Sequence, residues 1–486
     1  MAEILIPIHL NIAIMDKKRR DLLKLSGLAG IGIAGSSLVP QLTQASIFNT
    51  MAQANPSTPA QTFNMCGFAA APIDNVRIGF IGLGNRGPAA VERIKLIQGV
   101  SINGLCDIRK EKADEVLKSL EGSAHHPQLY TGKEEEWKRM CDRADIDLIY
   151  IATPWSLHTP MAVYAMNKGK HVCVEVPAAK TIDECWQLVE TSEKTRRHCM
   201  ILENCCYDFF ELLTLNLARQ GFFGEIVHTE GAYLHDLLEG NFSKTKYYDL
   251  WRLKENLRNG NLYPTHGLGP IAQLMNINRG EKMDYLVSLS GNDFQMGKMA
   301  DELAANDAFY KPYAGKHWRG NINTTIIKTQ GGRTIMLQHD VTSPNVYSRI
   351  HKVSGTKASA LKYPLPGKIA VGHEDWLSEK EMQELENKYQ PPIVKKLGEV
   401  AKQVGGHGGM DFLMDWRTMD CLRNGLPLDI DVYDAALWSS IAPLTEVSVA
   451  NRSKAMDVPD FTRGAWKTNK PVDILLQKGG DTKVIS

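Results

Sequence analysis

The chain has 486 residues, 43% of them hydrophobic and 23% charged, enough for two domains of ordinary size with real cores plus a terminal extension. With 56 lysines and arginines against 55 aspartates and glutamates, the net charge of +1 argues against a polybasic surface for nucleic acid or membrane. The nine cysteines show no CxxC or other zinc-type spacing, which argues against a disulfide-stapled or zinc-built fold; they read as small buried apolar side chains.

Near the start, Lys17, Lys18, Arg19 and Arg20 precede Asp21-Leu22-Leu23-Lys24 and an apolar, Gly- and Ala-rich run over 25–39. This is the anatomy of an export signal, with a cleavage site at Gln44-Ala45-Ser46. The run is too short and too rich in glycine for a lasting membrane helix, and the Arg-Arg pair resembles the twin-arginine class. Residues 1–46 are therefore expected to be a twin-arginine-type signal peptide, implying contact with the twin-arginine translocation machinery and a periplasmic destination. Residues 47–74 are polar and small, without helix or strand period, and read as a linker.

Residues 75–81, NVRIGFI, pattern as a strand covered on both faces. Gly82-Leu83-Gly84-Asn85-Arg86-Gly87 follows at once and opens a helix over 88–97, and a second strand ends in Asp107. A GxGxxG between strand and helix, with an acidic residue about twenty positions on, points to a dinucleotide site. Gly82 permits the turn, Gly84 lets the backbone approach the pyrophosphate, and Gly87 lets helix pack on strand. Asp107 would accept from ribose hydroxyls and repel a 2′-phosphate, favouring NAD over NADP, with Arg109 keeping NADP open. Helices at 110–120 and 133–143 lead to a strand at 146–154, with Trp155, Ser156 and His158 on the loop at its carboxyl end, where open α/β sheets bind ligands. After a helix at 159–168, a strand ends in Glu175-Val176-Pro177; a helix at 181–196 and a last strand ending in Asn204 complete the sheet. The Asn204 amide is a candidate for the nicotinamide carboxamide or ribose. Residues 75–204 thus form an NAD-binding Rossmann domain with Gly82, Gly84, Asn85, Arg86, Gly87, Asp107, Trp155, Ser156, His158, Glu175, Val176 and Asn204 as its cofactor set.

Strand patterns at 225–234, 284–291, 323–329, 333–340 and 348–354 follow, with Gly331-Gly332 turning a hairpin. Helical patterns fall at 207–219, 265–277, 378–402, 410–424 and 433–450. Strands and long helices without βαβ alternation predict an α+β domain over 205–470, built on one large, mostly antiparallel, open-faced sheet. Its open face is expected against the nicotinamide end of the first domain, and 471–486 is a tail. Tyr233, Arg252, Tyr263, His266 and Tyr347 are the candidate functional residues here; each is also readable as a packed, hydrogen-bonded side chain. His373 reads weakly, the GGHGG around His407 reads as a loop or a lid, and His125-His126 reads as surface. No carboxylate pair stands in a motif context, and no metal set is apparent.

The order TP-x-x-x-H after one strand and E-x-P after the next resembles the glucose-fructose oxidoreductase and inositol dehydrogenase superfamily. Members typically carry Glu-Lys-Pro, where this chain has Val176. GNRG, TPWSLH, EVPAA, GAYLHDL, YYDLWRLKENLRNGNLYPTHGLGP, NINRG and HDVTSP together look like glycoside hydrolase family 109, the NAD-dependent α-N-acetylgalactosaminidases, from Asn75 to Lys470. The resemblance implies proton transfer by His266, Tyr263 and Tyr233 and sugar binding by Tyr233, Arg252, Tyr263 and Tyr347. It also implies transient oxidation at C3, removal of the C2 proton, elimination of the aglycone, water addition and re-reduction. The expected partner is a glycan with terminal N-acetylgalactosamine and not a nucleic acid, and a homodimer fits by analogy. Two other readings stay open: a conventional NAD-dependent sugar dehydrogenase, and a sugar-binding protein with a vestigial cofactor.

Overall fold

A computed structural model of the chain describes residues 60–485. The expected signal peptide and residues 47–59 of the linker lie outside the described residues. Six strands form the first sheet: β1 (Val76–Ile81), β2 (Val100–Asp107), β3 (Gln128–Thr131), β4 (Leu148–Ile151), β5 (His171–Val174) and β6 (Cys199–Ile201). All neighbours are parallel, in the order β3-β2-β1-β4-β5-β6. This is the doubly wound order, with its reversal between β1 and β4, where such sheets bind ligands. Helices on both faces explain why β4 is apolar and why β4 and β5 are both buried along their whole length.

The second sheet runs β13-β12-β11-β7-β10-β9-β8-β14. Its central members are β7 (Ile226–Leu234), β8 (Met283–Ser290), β9 (Ile322–Thr329) and β10 (Thr334–Asp340), flanked by β11 (Lys352–Gly355), β12 (Ala358–Leu361), β13 (Lys368–Val371) and the short β14 (Met456–Asp457). Only β7 and β10 pair in parallel; the other ladders are antiparallel, and Gly331-Gly332 turns β9 into β10. The open face is not where the sequence suggested. Side chains alternate across a strand, and the exposed face carries Leu289 and Ile326, whereas Tyr233 and His339, registered opposite each other, lie on the covered face. The cleft is therefore lined by the face under the helices, and the open face points away from it. Alternation predicts two faces but not which one meets the other domain.

The helix Thr265–Leu274 covers β7, and its glycines allow the contact. A Cβ on Gly267 would meet the Ala232 amide nitrogen at 2.4 Å, and one on Gly269 would meet Glu203 Cγ at 2.7 Å. The helix thus presses on β7 with one side and on the turn after β6 with the other.

The two sheets are joined by the C-terminal part of the chain. The helix Met410–Asn424 lies beside the helix Gly87–Ile94, and the helix Val432–Ala450 packs on both the helix Ile182–Thr195 and β8, burying Trp416 and Trp438 completely. The described part of the linker carries no helix or strand, yet it is strapped down: the Thr62 amide donates to Glu193 (3.0 Å) and the Met65 amide to the Tyr433 hydroxyl (3.1 Å). The tail returns to the first domain, with the Ile485 amide donating to the Leu96 carbonyl (2.7 Å) and Trp416 Nε1 to the Thr482 carbonyl (3.1 Å). The helix expected over 378–402 is two helices, Glu379–Tyr389 and Pro392–Val404, because Pro391 and Pro392 lack the amide protons and the backbone freedom to continue it. His125 is buried, not at the surface, and its Nδ1 accepts from the Ile102 amide at 3.3 Å.

Gly267→Ala is expected to destabilise the protein by about 1–3 kcal/mol through overpacking against backbone that cannot swing aside. Denaturant midpoints measure it, and an unchanged midpoint would show that the helix is free to lift.

Candidate functional site

The carboxyl edge of the first sheet gathers the expected cofactor residues. Gly82 has φ +91° and lies against the Ala152 carbonyl, where a Cβ would sit at 2.5 Å. A Cβ on Gly84 would meet only the Arg109 guanidinium, at 3.0 Å, so the turn is an open cradle for a pyrophosphate. Asp107 accepts from the Leu83 amide (2.8 Å) and the Arg109 amide (2.9 Å), which aims its carboxylate along the edge. Arg109 Nε also reaches Asp107, at 3.2 Å. Arg86 Nε donates to Glu175 at 2.9 Å, tying the turn to the end of β5. Ser156 is exposed on the loop after β4, and Val176 is buried, so the position after Glu175 carries no ammonium group to relay a proton. The glycine cradle and the ribose-type carboxylate fit a dinucleotide, with the Arg109 guanidinium the one side chain within reach of a Cβ at Gly84.

Two of the expected cofactor contacts are otherwise engaged. His158 is buried, with its ring nitrogens 2.7 Å from the Pro177 carbonyl and 2.8 Å from the Thr153 carbonyl, so it braces the loop and offers nothing to a ligand. Asn204 is buried, its amide donating to Asp411 and accepting from the Cys205 thiol. The Trp155 ring turns toward the second domain, stacking on Tyr263 (5.8 Å between centroids) and meeting Trp251 edge-on (5.4 Å).

Facing this edge, the start of the helix Thr265–Leu274 and the end of β7 bring Tyr233, Tyr263 and His266 together. Ring centroids are 4.7 Å apart for Tyr233 and Tyr263, 4.8 Å for Tyr263 and His266, and 5.4 Å for Tyr233 and His266. Arg252 lies over the Tyr263, Tyr247 and Trp155 rings at 5.2–5.6 Å, a stacked placement that leaves its fork of donors directed by aromatic walls. Tyr347 joins the cluster 6.3 Å from Tyr233. His339 props the cluster from behind, its Nδ1 accepting from the Leu262 amide at 3.2 Å. His373 is exposed beside Glu374, away from this cluster.

Three groups at the site carry little or no sequence signal. Glu203 is fully buried and reaches His266 Nδ1 with both oxygens, at 2.8 and 3.0 Å. His235 Nδ1 lies 2.9 Å from the Tyr233 hydroxyl; it is two residues on, and that spacing was a readable hint. Asp411 joins Asn204, Arg86 (3.4 Å), Arg93 (3.5 Å) and His407 (Nδ1 2.9 Å), drawing the GGHGG loop to the cofactor edge. His407 itself is half exposed.

Electrostatics divide these groups by task. Burial, reinforced by Tyr233 and opposed by Arg252, raises the Tyr263 phenol well above its ordinary range. Burial likewise raises Tyr233 and Tyr347, so all three phenols stay neutral and act as donors or relays. Burial, then Arg252 and Lys246, lowers His235, keeping it neutral as an acceptor for Tyr233. Burial works to raise Glu203, but His266, Thr265 and the Cys205 amide hold it below the ordinary carboxyl range, so it is a carboxylate. Glu203, Cys205 and His266 have ligand atoms within 4.8 Å of one another. Glu203 accepts from the Cys205 amide and faces His266 Nδ1 with both oxygens, which makes the arrangement a histidine–carboxylate pair.

A second cluster anchors Tyr347. Its hydroxyl lies 3.3 Å from Arg349, which bridges Asp208 (2.7 Å) and Glu211 (2.6 Å), while Lys362 also reaches Glu211 (2.7 Å). Against the upward push of burial, Lys362 and Arg349 hold Glu211 at about 2. A depressed carboxyl stabilises the fold above its unfolded value near 4.5 and loses that contribution as pH falls toward 2. Glu211→Gln is therefore expected to be less stable at pH 7 and flatter in stability than the wild type across that acid window, as read from denaturant midpoints at each pH.

Residues 207–468 match the family model described as glycosyl hydrolase 109, C-terminal domain, and residues 76–202 match that of the oxidoreductase family, NAD-binding Rossmann fold. An alpha-N-acetylgalactosaminidase of Bacteroides fragilis is 50% identical over 420 residues, covering 84% of this chain and 97% of that protein. A glycosyl hydrolase family 109 protein of Solibacter usitatus is 45% identical over 466 residues, covering 94% of this chain and all of that one. Among solved structures, an inositol dehydrogenase homolog from Azotobacter vinelandii, complexed with NADH and myo-inositol, superposes with a TM-score of 0.59 at 16% identity over 82% of this chain and 100% of that one. Levoglucosan dehydrogenase in complex with NADH superposes with a TM-score of 0.58 at 16% identity, over 79% of this chain and 100% of that one, which speaks to the shared fold. Fold and matches together define a glycoside hydrolase carrying an NAD-binding Rossmann domain. The chain belongs to glycoside hydrolase family 109.

Asp107→Ser removes the carboxylate while leaving Arg109 free to meet a 2′-phosphate. The ratio of NADP to NAD dissociation constants, from equilibrium binding, is expected to fall at least about tenfold, roughly one good charged contact. An unchanged ratio would remove Asp107 from cofactor selection.

Proposed function

We propose that the protein is an α-N-acetylgalactosaminidase that keeps its NAD through each turnover, and that it works after export. One observation carries the reading: a histidine–carboxylate pair and neutral tyrosines face the carboxyl edge of an NAD-binding Rossmann domain, in a chain 50% identical to a protein named alpha-N-acetylgalactosaminidase. The Gly82–Gly87 turn, Asp107, the loop at 153–156 and residues 175–176 would hold the cofactor. Bound there, NAD would supply a reversible hydride acceptor for C3 of the sugar, which acidifies the C2 proton and leaves no net redox change.

This chain's residues supply the rest. His266 Nε2 takes the proton from C2, the pair of electrons left behind forms the C1–C2 double bond, and the aglycone oxygen departs from C1. Water then adds at C1, and His266 Nε2 returns the proton to C2. Tyr233, Tyr263 and Arg252 donate to the C3 oxygen and to neighbouring hydroxyls, stabilising the charge that develops there. His407, paired with Asp411, is the other imidazole linked to the same turn, since Asp411 also holds Asn204; it is the candidate to protonate the departing oxygen. Val176 counts against the rival dehydrogenase reading, because the end of β5 has no ammonium group to relay a proton. Zero net electron flow also suits the export expected from Lys17 to Ser46, since no partner is required to regenerate the cofactor.

Purified protein given a chromogenic α-N-acetylgalactosaminide without added NAD is expected to release the chromophore without accumulating NADH. Steady NADH formation on added NAD would instead establish the dehydrogenase, and neither outcome would leave a sugar-binding protein. In D₂O the released sugar should carry deuterium at C2, and its absence would exclude elimination. His266→Ala is expected to lower turnover at least ~100-fold; near-normal activity would move the base elsewhere.

A further inference from the structure

We propose that Glu203 is a positioning residue that holds His266 in the single tautomer competent to act as a base. The inference rests on the reading of His266 given above and extends it to the fully buried carboxylate behind that ring.

The geometry is one of enforced direction. Both Glu203 oxygens lie within 3.0 Å of His266 Nδ1. A carboxylate only accepts hydrogen bonds, so Nδ1 must carry the proton, and the lone pair of the neutral ring is then on Nε2. Among the described residues Nε2 has no protein partner, and the His266 side chain retains 14% exposure, so this nitrogen opens on the cleft. The ring cannot turn about that axis, because Tyr263 and Tyr233 meet it edge-to-face at interplanar angles of 87° and 74°. Glu203 is itself fixed. It is completely buried, it accepts from the Cys205 amide at 3.1 Å, and Gly269, one turn beyond His266, leaves the room in which its side chain lies.

The pair also crosses the domain boundary. Glu203 follows β6 of the first sheet, and His266 opens the helix on the second. The next residue, Asn204, is bonded to Asp411 at the cofactor edge. The base is thus set in register with the edge that would hold the nicotinamide, and the carboxylate offsets the positive ring formed when Nε2 takes its proton.

The test uses the full-length protein with Glu203→Gln and Glu203→Asp, each checked for bound NAD and for an unchanged thermal transition. The Gln variant is expected to lose 10–100-fold in kcat with KM within about threefold, the usual scale for a group that orients another. The Asp variant should recover part of the loss, because it restores an acceptor-only partner. Nitrogen-15 NMR of the ring, with His266→Ala assigning the signal, should place the proton on Nδ1 in the wild type and redistribute it in the Gln variant. A wild-type proton on Nε2 overturns the proposal whether or not the variants fold. So does a folded Gln variant with unchanged kcat, or an Asp variant no better than Gln. The NMR result stands apart from glycosidase activity: a protein that releases no chromophore but shows the Nδ1 proton and its redistribution would sink the proposed reaction and leave the role of Glu203 intact.

Discussion

The helix Thr265–Leu274 is wedged between two backbones, and the site depends on how close it lies to both. Gly267 lets it touch β7, which carries Tyr233, and Gly269 lets it touch the turn that carries Glu203. A methyl group on either face would separate the imidazole from one of its neighbours. Side chains from elements 30 to 60 residues apart are held within about 5 Å by this double contact, which is a packing constraint before it is a chemical one. The short apolar helix has little stability of its own and takes its position from these surfaces.

Charge is then distributed over that frame in an uneven way. The tyrosines are kept neutral by burial, so they give hydrogen bonds and do not compete for protons. Around the site, three buried carboxylates are each met by cations or imidazoles: Glu203 by His266, Asp411 by Arg86, Arg93 and His407, and Glu211 by Arg349 and Lys362. Buried carboxylates paired in this way are costly to leave half-satisfied. Tyr347 inherits its place from the last of these groups, and the GGHGG loop from the second.

Much of this frame was legible in the residue order. A strand, a GxGxxG turn, a helix and a following acidic residue are all local, and their physical reasons are local too, so Gly82 to Asp107 fell where expected. The large second sheet, its hairpin at Gly331-Gly332 and the helix Met410–Asn424 follow from alternation, turn chemistry and a 3.6-residue period. What stayed hidden was long-range. Glu203 and His266 are 63 positions apart, and Asn204 and Asp411 are 207 apart, so no spacing joins them. His158 sits in a motif loop as a ligand would, yet both ring nitrogens are consumed by carbonyls, which only three dimensions reveal. The break at Pro391-Pro392 was visible and outweighed by the amphipathic run around it.

The straps at residues 60–74 and 471–485, with the helices after residue 410, bear on how the molecule is made. These segments cover the flank of the sheet that the chain encodes first, through Trp416, Trp438 and Tyr433. The strap at 60–74 is made before that sheet, but the helices after residue 410 emerge some two hundred residues after β6, so the nascent Rossmann half must wait, partly unclad, until they follow.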